Sequence, residues 1–192
     1  DSYGKTLIPF ELLTADDVVI IPAFGTTTNM EEKLLALGIS PHKYNTTCPF
    51  VEKVWNRGEQ LAEKGYSLVI HGKPNHEETR ATFSRTSLHT PAVVVNDMKE
   101  AVELAKFIMG EKEASLFYDE FNGRHSAGFD ITKDLQRFGV IKQTTQLATD
   151  TQAIADYLKE IVHENFGVQE ANGAVRFADT RVTLCFATND KP

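Results

Sequence analysis

Two cysteines, a histidine–glutamate pair and a threonine pair are the residues of this chain whose types and spacing suit chemistry. Cys48 directly precedes Pro49 at the start of a helical pattern, where the helix dipole favours thiolate over thiol. Cys185 sits near the end of an apolar run. His76 and Glu78 follow Lys73 in a polar turn. There a lysine, an imidazole and the first N–H groups of a helix can surround an anion, with the carboxyl as a nearby proton source. Thr144 and Thr145 offer adjacent hydroxyls. Each group also has a plainer reading. Most free cysteines are small buried hydrophobes, and Asn75-x-x-Glu78 has the form of a capping box. Thr144-Thr145 can simply join a strand to a helix, and Trp55 is more simply core than a cofactor contact. A zinc pair is disfavoured, with no C-x-x-C and no histidine at ligand spacing. An iron–sulfur cluster needs at least one thiolate more than these two.

The elements that must position these residues follow from patterning. Short β-branched runs alternate with amphipathic stretches. Strands are expected at 17–22, 67–71, 92–96, 138–142 and 181–186. Helices are expected from Thr28 or Asn29 to Leu37, from Pro49 to about Lys64, briefly after Asn75, and from Met98 to Met109. A last helix is expected before Gly167, with Thr149-x-x-Gln152 as its capping box. Residues 110–136, polar and glycine-dotted, read as an excursion. Strand–helix alternation implies right-handed crossovers and an α/β fold of parallel sheets flanked by helices. The unbroken apolar runs VVII and AVVV fit strands buried on both faces. Ligands of such sheets gather beyond the carboxyl ends of the strands, and all the residues above fall at strand ends.

Composition narrows the function classes. Apolar residues make up 41% and charged residues 24%, ordinary globular usage that excludes a disordered or fibrous chain. The apolar runs fall far short of the ~20 residues that span a bilayer. The 20 basic against 27 acidic residues, a net charge of −7, run against a nucleic-acid partner. A local cationic pocket remains open, because screening confines charge effects to about 8–10 Å. Two cysteines make no disulfide framework and no secretory leader precedes the first strand, which points to a reducing compartment.

The segments DDVVIIPAFG (16–25), NTTCPFVEKVWN (45–56), VIHGKPNHEETRATFS (69–84), VIKQTTQLATDTQAI (140–154) and VTLCFATND (182–190) occur in this order. Together they resemble the LytB/IspH family, 4-hydroxy-3-methylbut-2-enyl diphosphate reductase, in its plant and cyanobacterial-type branch. The resemblance implies a trefoil-like protein of three α/β lobes around a [4Fe–4S] cluster, of which this chain is an internal fragment. Residues 1–48 would end the first lobe, 49–180 form the central lobe with its 110–136 excursion, and 181–192 open the third. Cys48 and Cys185 match two cluster ligands, the third being expected upstream.

Glu78 matches the family's proton-delivering carboxylate and Thr144 the hydroxyl that links it to the substrate alcohol. His76, Thr144 and Thr145 match substrate contacts, and Phe24 stands where a shorter bacterial branch has a diphosphate-binding histidine. The implied activity is reductive dehydroxylation of an allylic diphosphate to isopentenyl and dimethylallyl diphosphate, in the non-mevalonate isoprenoid pathway. Its electrons would come from a ferredoxin- or flavodoxin-type donor, in a bacterial cytoplasm or plastid stroma, with no nucleic acid or membrane involved. The excerpt alone is expected to be inactive. The competing expectation is a non-catalytic fragment or small-anion-binding α/β module that holds no cluster.

Overall fold

The structure is a computed structural model in which residues 9–178 are described. The expected strand at 181–186, Cys185 within it and the 181–192 opening of a third lobe lie outside the described residues. Helix α1 spans Thr28–Ala36 and α2 spans Pro49–Glu63. They are followed by β1 (Ser67–His71), α3 (Glu77–Thr86), β2 (Ala92–Val95), α4 (Met98–Ile108) and α5 (Ala114–Glu120). Then come β3 (Phe138–Lys142), α6 (Ala148–Phe166) and the short β4 (Phe177–Ala178). The four strands form one parallel sheet in the order β2-β1-β3-β4, as the strand–helix alternation predicts.

Side chains alternate across the sheet and divide the core in two. Val69, Val93, Val95, Phe138 and Val140 pack with Leu104 of α4, Phe117 of α5 and Ile154 of α6. Leu68, Ile70, Ala92, Val94 and Ile141 pack on the other face with Val54 and Leu61 of α2 and Phe83 of α3. Every residue of β1, β2 and β3 is buried. That is why these strands read as unbroken rather than alternating apolar runs.

Three expectations are corrected. Residues 17–22 do not form a strand: Ile21 makes one isolated parallel bridge to Asn45, and Val18 and Ile20 are exposed. β-Propensity is realised only against neighbouring strands, and one bridge gives the run no ladder to extend. The helix α6 starts at Ala148 with Leu147 as its N-cap and no side-chain cap bond, so Thr149-x-x-Gln152 is not a capping box. Gln152 instead bonds Asp156 one turn on, at 2.8 Å.

The 110–136 stretch is the third. Read as polar in sequence, it contributes to the core: Phe117, Phe121, Phe129, Ile131 and Leu135 are all buried. Phe117 stacks on Phe121 and Phe129 with ring centroids 5.0 and 5.3 Å away. Its far end pairs with β2, Val94 N–H donating to Arg124 O at 2.8 Å and Ser126 N–H to Ala92 O at 2.9 Å. This covers a sheet edge that would otherwise expose unpaired backbone. Phe117 and Phe121 stand four apart, a helical spacing, but Phe129, Ile131 and Leu135 continue no single period, so patterning alone does not reveal the segment as core. Phe117→Ala is expected to lower the free energy of unfolding by about 3–5 kcal/mol in a urea titration. A loss under about 1 kcal/mol, as at a surface position, would return the segment to the status of an appendage.

Candidate functional site

In the order β2-β1-β3-β4, α3 leaves β1 on the sheet face that carries α2, and α6 leaves β3 on the face that carries α4. The chain therefore diverges between β1 and β3, the switch point where an open parallel sheet leaves a crevice for ligands. The two loops that flank it are Gly72–His76 and Gln143–Leu147. Helix α2 turns into β1 through Gly65, so its N-terminus and Cys48 lie back at the carboxyl edge of the strands.

Glu78, in the first turn of α3, is 1% exposed. Its side chain crosses the crevice. One carboxylate oxygen accepts the backbone N–H of Thr144, and the other accepts the Thr144 hydroxyl at 2.8 Å. The capping-box alternative therefore does not hold, since the carboxylate is used against a residue 66 positions away. His76, rather than Asn75, is the N-cap of α3: its Nδ1 accepts the N–H of Glu78 at 3.2 Å. A backbone N–H can only donate, so Nδ1 carries the lone pair and the ring proton sits on Nε2. The same bond uses up one of the first-turn N–H groups expected to face an anion.

Gln143, 2% exposed, ties the two loops together. Its Oε1 accepts from Lys73 N and from Thr79 Oγ1, each at 3.0 Å, and its Nε2 donates to Thr145 Oγ1. Gly72 is required beneath this brace. A Cβ there would lie 2.5 Å from Thr79 Oγ1 and 3.1 Å from Gln143 Cβ.

Cys48 is the N-cap of α2 and half-buried, with Pro49 in the first helical positions and no side-chain cap bond. Its N–H donates to Ala23 O at 2.9 Å. The neighbouring Phe24 packs edge-on against His76, with centroids 5.3 Å apart. Contacts thus run from Cys48 through residues 23–24 to His76, Glu78 and Thr144. Trp55 secures this arrangement. Its Nε1 donates to Thr82 at 3.0 Å, the Arg85 guanidinium lies 4.1 Å over its ring, and Arg85 pairs with Glu31 of α1. Gly25, with φ +75°, rests on the same ring, where a Cβ would come within 2.4 Å of Trp55 Cη2.

At the end of β1, His71 is buried with Nδ1 2.8 Å from Thr151 Oγ1. Burial pushes its pKa below the ordinary 6.5, against a raising effect from Asp150. The native imidazole therefore binds a proton less readily than it does in the unfolded chain. Stability is full above the ordinary value of 6.5 and falls as pH drops through the lowered native value. His71→Gln should flatten the pH dependence of the urea midpoint between about pH 7 and 5. An unchanged slope would assign that dependence to other groups.

The family model described as LytB protein matches residues 4–192. The chain belongs to the LytB family. It is 36% identical over 182 residues to the 4-hydroxy-3-methylbut-2-enyl diphosphate reductase of Crocosphaera subtropica, covering 95% of this chain and 43% of the relative. Against the reductase of the same name from Parasynechococcus marenigrum the identity is 38% over 183 residues, covering 95% and 44%. Among solved structures, a (E)-4-hydroxy-3-methyl-but-2-enyl diphosphate reductase aligns with a TM-score of 0.59 at 22% identity, over 91% of this chain and 47% of that one. A Plasmodium falciparum reductase aligns at 0.52 and 18%, over 86% and 39%. At those identities the structures establish a shared fold. The chain spans less than half the length of these relatives.

Within this LytB chain, the structure joins Glu78 to Thr144 directly, sets His76 at the cap beneath Glu78, and places Thr145 exposed beside Gln143. Cys185 lies outside the described residues. Among the described residues no group of three or more His, Cys, Asp or Glu side chains is placed to hold a metal ion. Cys48 does have the donor chemistry of an iron–sulfur ligand, being a half-buried thiol at a helix N-terminus. Sequence reasoning missed Gln143 and Thr79. The available signal was a glutamine directly after an apolar strand, facing a glycine that tolerates no side chain.

Proposed function

We propose that the LytB protein to which this chain belongs converts 4-hydroxy-3-methylbut-2-enyl diphosphate, the substrate in the names of its relatives, to isopentenyl and dimethylallyl diphosphate. The observation that carries the reading is the buried Glu78–Thr144 pair at the switch point. A proton on the Glu78 carboxyl has a path through the Thr144 hydroxyl to an alcohol held against it. The hydroxyl then leaves as water when the C–O bond breaks. The reaction consumes two electrons and two protons per substrate, the second proton going to either end of the allylic unit. His76 Nε2–H, the Lys73 ammonium and the Thr145 hydroxyl supply donors for the diphosphate. Phe24, edge-on to His76, restrains that ring without adding a charge.

In this reading Cys48 and Cys185 hold a [4Fe–4S] cluster together with a cysteine from outside the chain. Such a cluster supplies electrons singly and a Lewis-acidic iron when bound. Residues 1–48, 49–180 and 181–192 then divide among three lobes, and a ferredoxin- or flavodoxin-type protein donates the electrons.

The test is anaerobic reconstitution with iron and sulfide, followed by product analysis with a chemical reductant. Formation of both five-carbon diphosphates supports the reading. A protein that binds inorganic pyrophosphate but takes up no iron and forms neither product would instead be a small-anion-binding module.

A further inference from the structure

The amide of Gln143 has a defined orientation. It meets the Lys73 N–H at 3.0 Å, and a backbone N–H only donates, so the atom facing Lys73 is the carbonyl oxygen. The Thr79 hydroxyl donates to the same oxygen at 3.0 Å. The NH₂ group is therefore the one that reaches Thr145 Oγ1. Thr145 receives that hydrogen bond, so its own proton cannot point back at Gln143. It must be donated outward from an exposed side chain at the carboxyl end of β3. The buried amide thus sets the direction of a surface hydroxyl, while its oxygen holds the Gly72–His76 loop against the same strand end.

We propose that Gln143 is a positioning residue that makes Thr145 an outward-facing donor to the anionic end of the substrate. This rests on the diphosphate reading above. A hydroxyl accepts and donates with equal ease, so without a fixed partner Thr145 would have no preference for an anion. With Gln143 behind it, the outward direction is committed to donation, and an oxygen-rich anion is the complementary ligand.

The test uses inorganic pyrophosphate as the probe in calorimetric titrations of the whole protein. Gln143→Glu keeps an oxygen for Lys73 and Thr79 but replaces the NH₂ with an acceptor. Thr145 then donates inward, and pyrophosphate affinity is expected to fall about 10- to 100-fold, the worth of a hydrogen bond to a charged group. Thr145→Val should lose a similar factor. Combining Thr145→Val with Gln143→Glu should then cost little more, because no hydroxyl remains to be turned. A plain charge effect of the introduced carboxylate would persist in that background and overturn the proposal. Lowering the pH enough to protonate the introduced carboxyl should restore the affinity of Gln143→Glu relative to wild type, since a carboxylic acid donates as the amide does.

Wild-type affinity in Thr145→Val overturns the proposal even where Gln143→Glu fails to fold. Wild-type affinity in a folded Gln143→Glu overturns the role of Gln143 and leaves the diphosphate reading standing. No binding by the wild-type whole protein overturns both.

Discussion

Glu78→Gln is expected to hold the allylic diphosphate with nearly unchanged affinity while turnover falls about 10²- to 10⁴-fold, the range a positioned general acid contributes. The substitution is isosteric and leaves the geometry in place. The amide oxygen still accepts the Thr144 N–H, and the NH₂ group can donate to Thr144 Oγ1 where the carboxylate now accepts from it. What is lost is a transferable proton. Removal of an interaction that acts only in the transition state appears in kcat with KM little changed. The variant should also unfold at a urea concentration close to wild type, because the Thr144 N–H keeps its oxygen acceptor and the Thr144 hydroxyl oxygen gains a donor, so that only the hydroxyl proton has to turn elsewhere. Undiminished turnover in Glu78→Gln would refute the proton relay.

The second large effect is expected at Cys48. After anaerobic reconstitution of the whole protein with iron and sulfide, the visible thiolate-to-iron absorption should be lost in Cys48→Ser, and turnover with it. The fold should survive. Cys48 caps α2 without using its side chain, whereas serine is among the preferred N-cap residues, worth about 0.5–2 kcal/mol over residues that do not cap. The variant therefore separates ligation from stability, with equal or raised resistance to urea and no bound iron. Retention of the full iron content in Cys48→Ser would remove this residue from the ligand set. The tie from Cys48 N to Ala23 O uses backbone only and persists in the variant.

Much of this arrangement was legible because its signals are local. Strands β1 and β3 and the start of α4 follow from apolar runs and caps within a few residues of one another, and Gly65 and Gly167 mark helix ends by the conformation they allow. The blocks around Cys48, His76 and Thr144 identify the LytB family from residue order alone. Sequence reading failed where a residue's role depends on a distant partner. Val18–Ile21 has the composition of a strand, yet only Ile21 makes a β-bridge. Phe117 and Phe129 lie twelve residues apart among charges and glycines and stack only once the segment folds. Asn75-x-x-Glu78 satisfies a local capping rule that the folded chain leaves unused.

From the order of its residues alone, the chain determined its α/β class, the parallel sheet and the short list of groups fit for proton transfer and thiolate ligation. Periodicity and residue chemistry are properties of neighbours along a backbone. Tertiary structure decided which of those groups meet. It turned Glu78 onto Thr144 and placed Gln143 between two loops. Each of these is a hydrogen bond between or beside strand ends, and only the register of β1 against β3 brings those ends within reach.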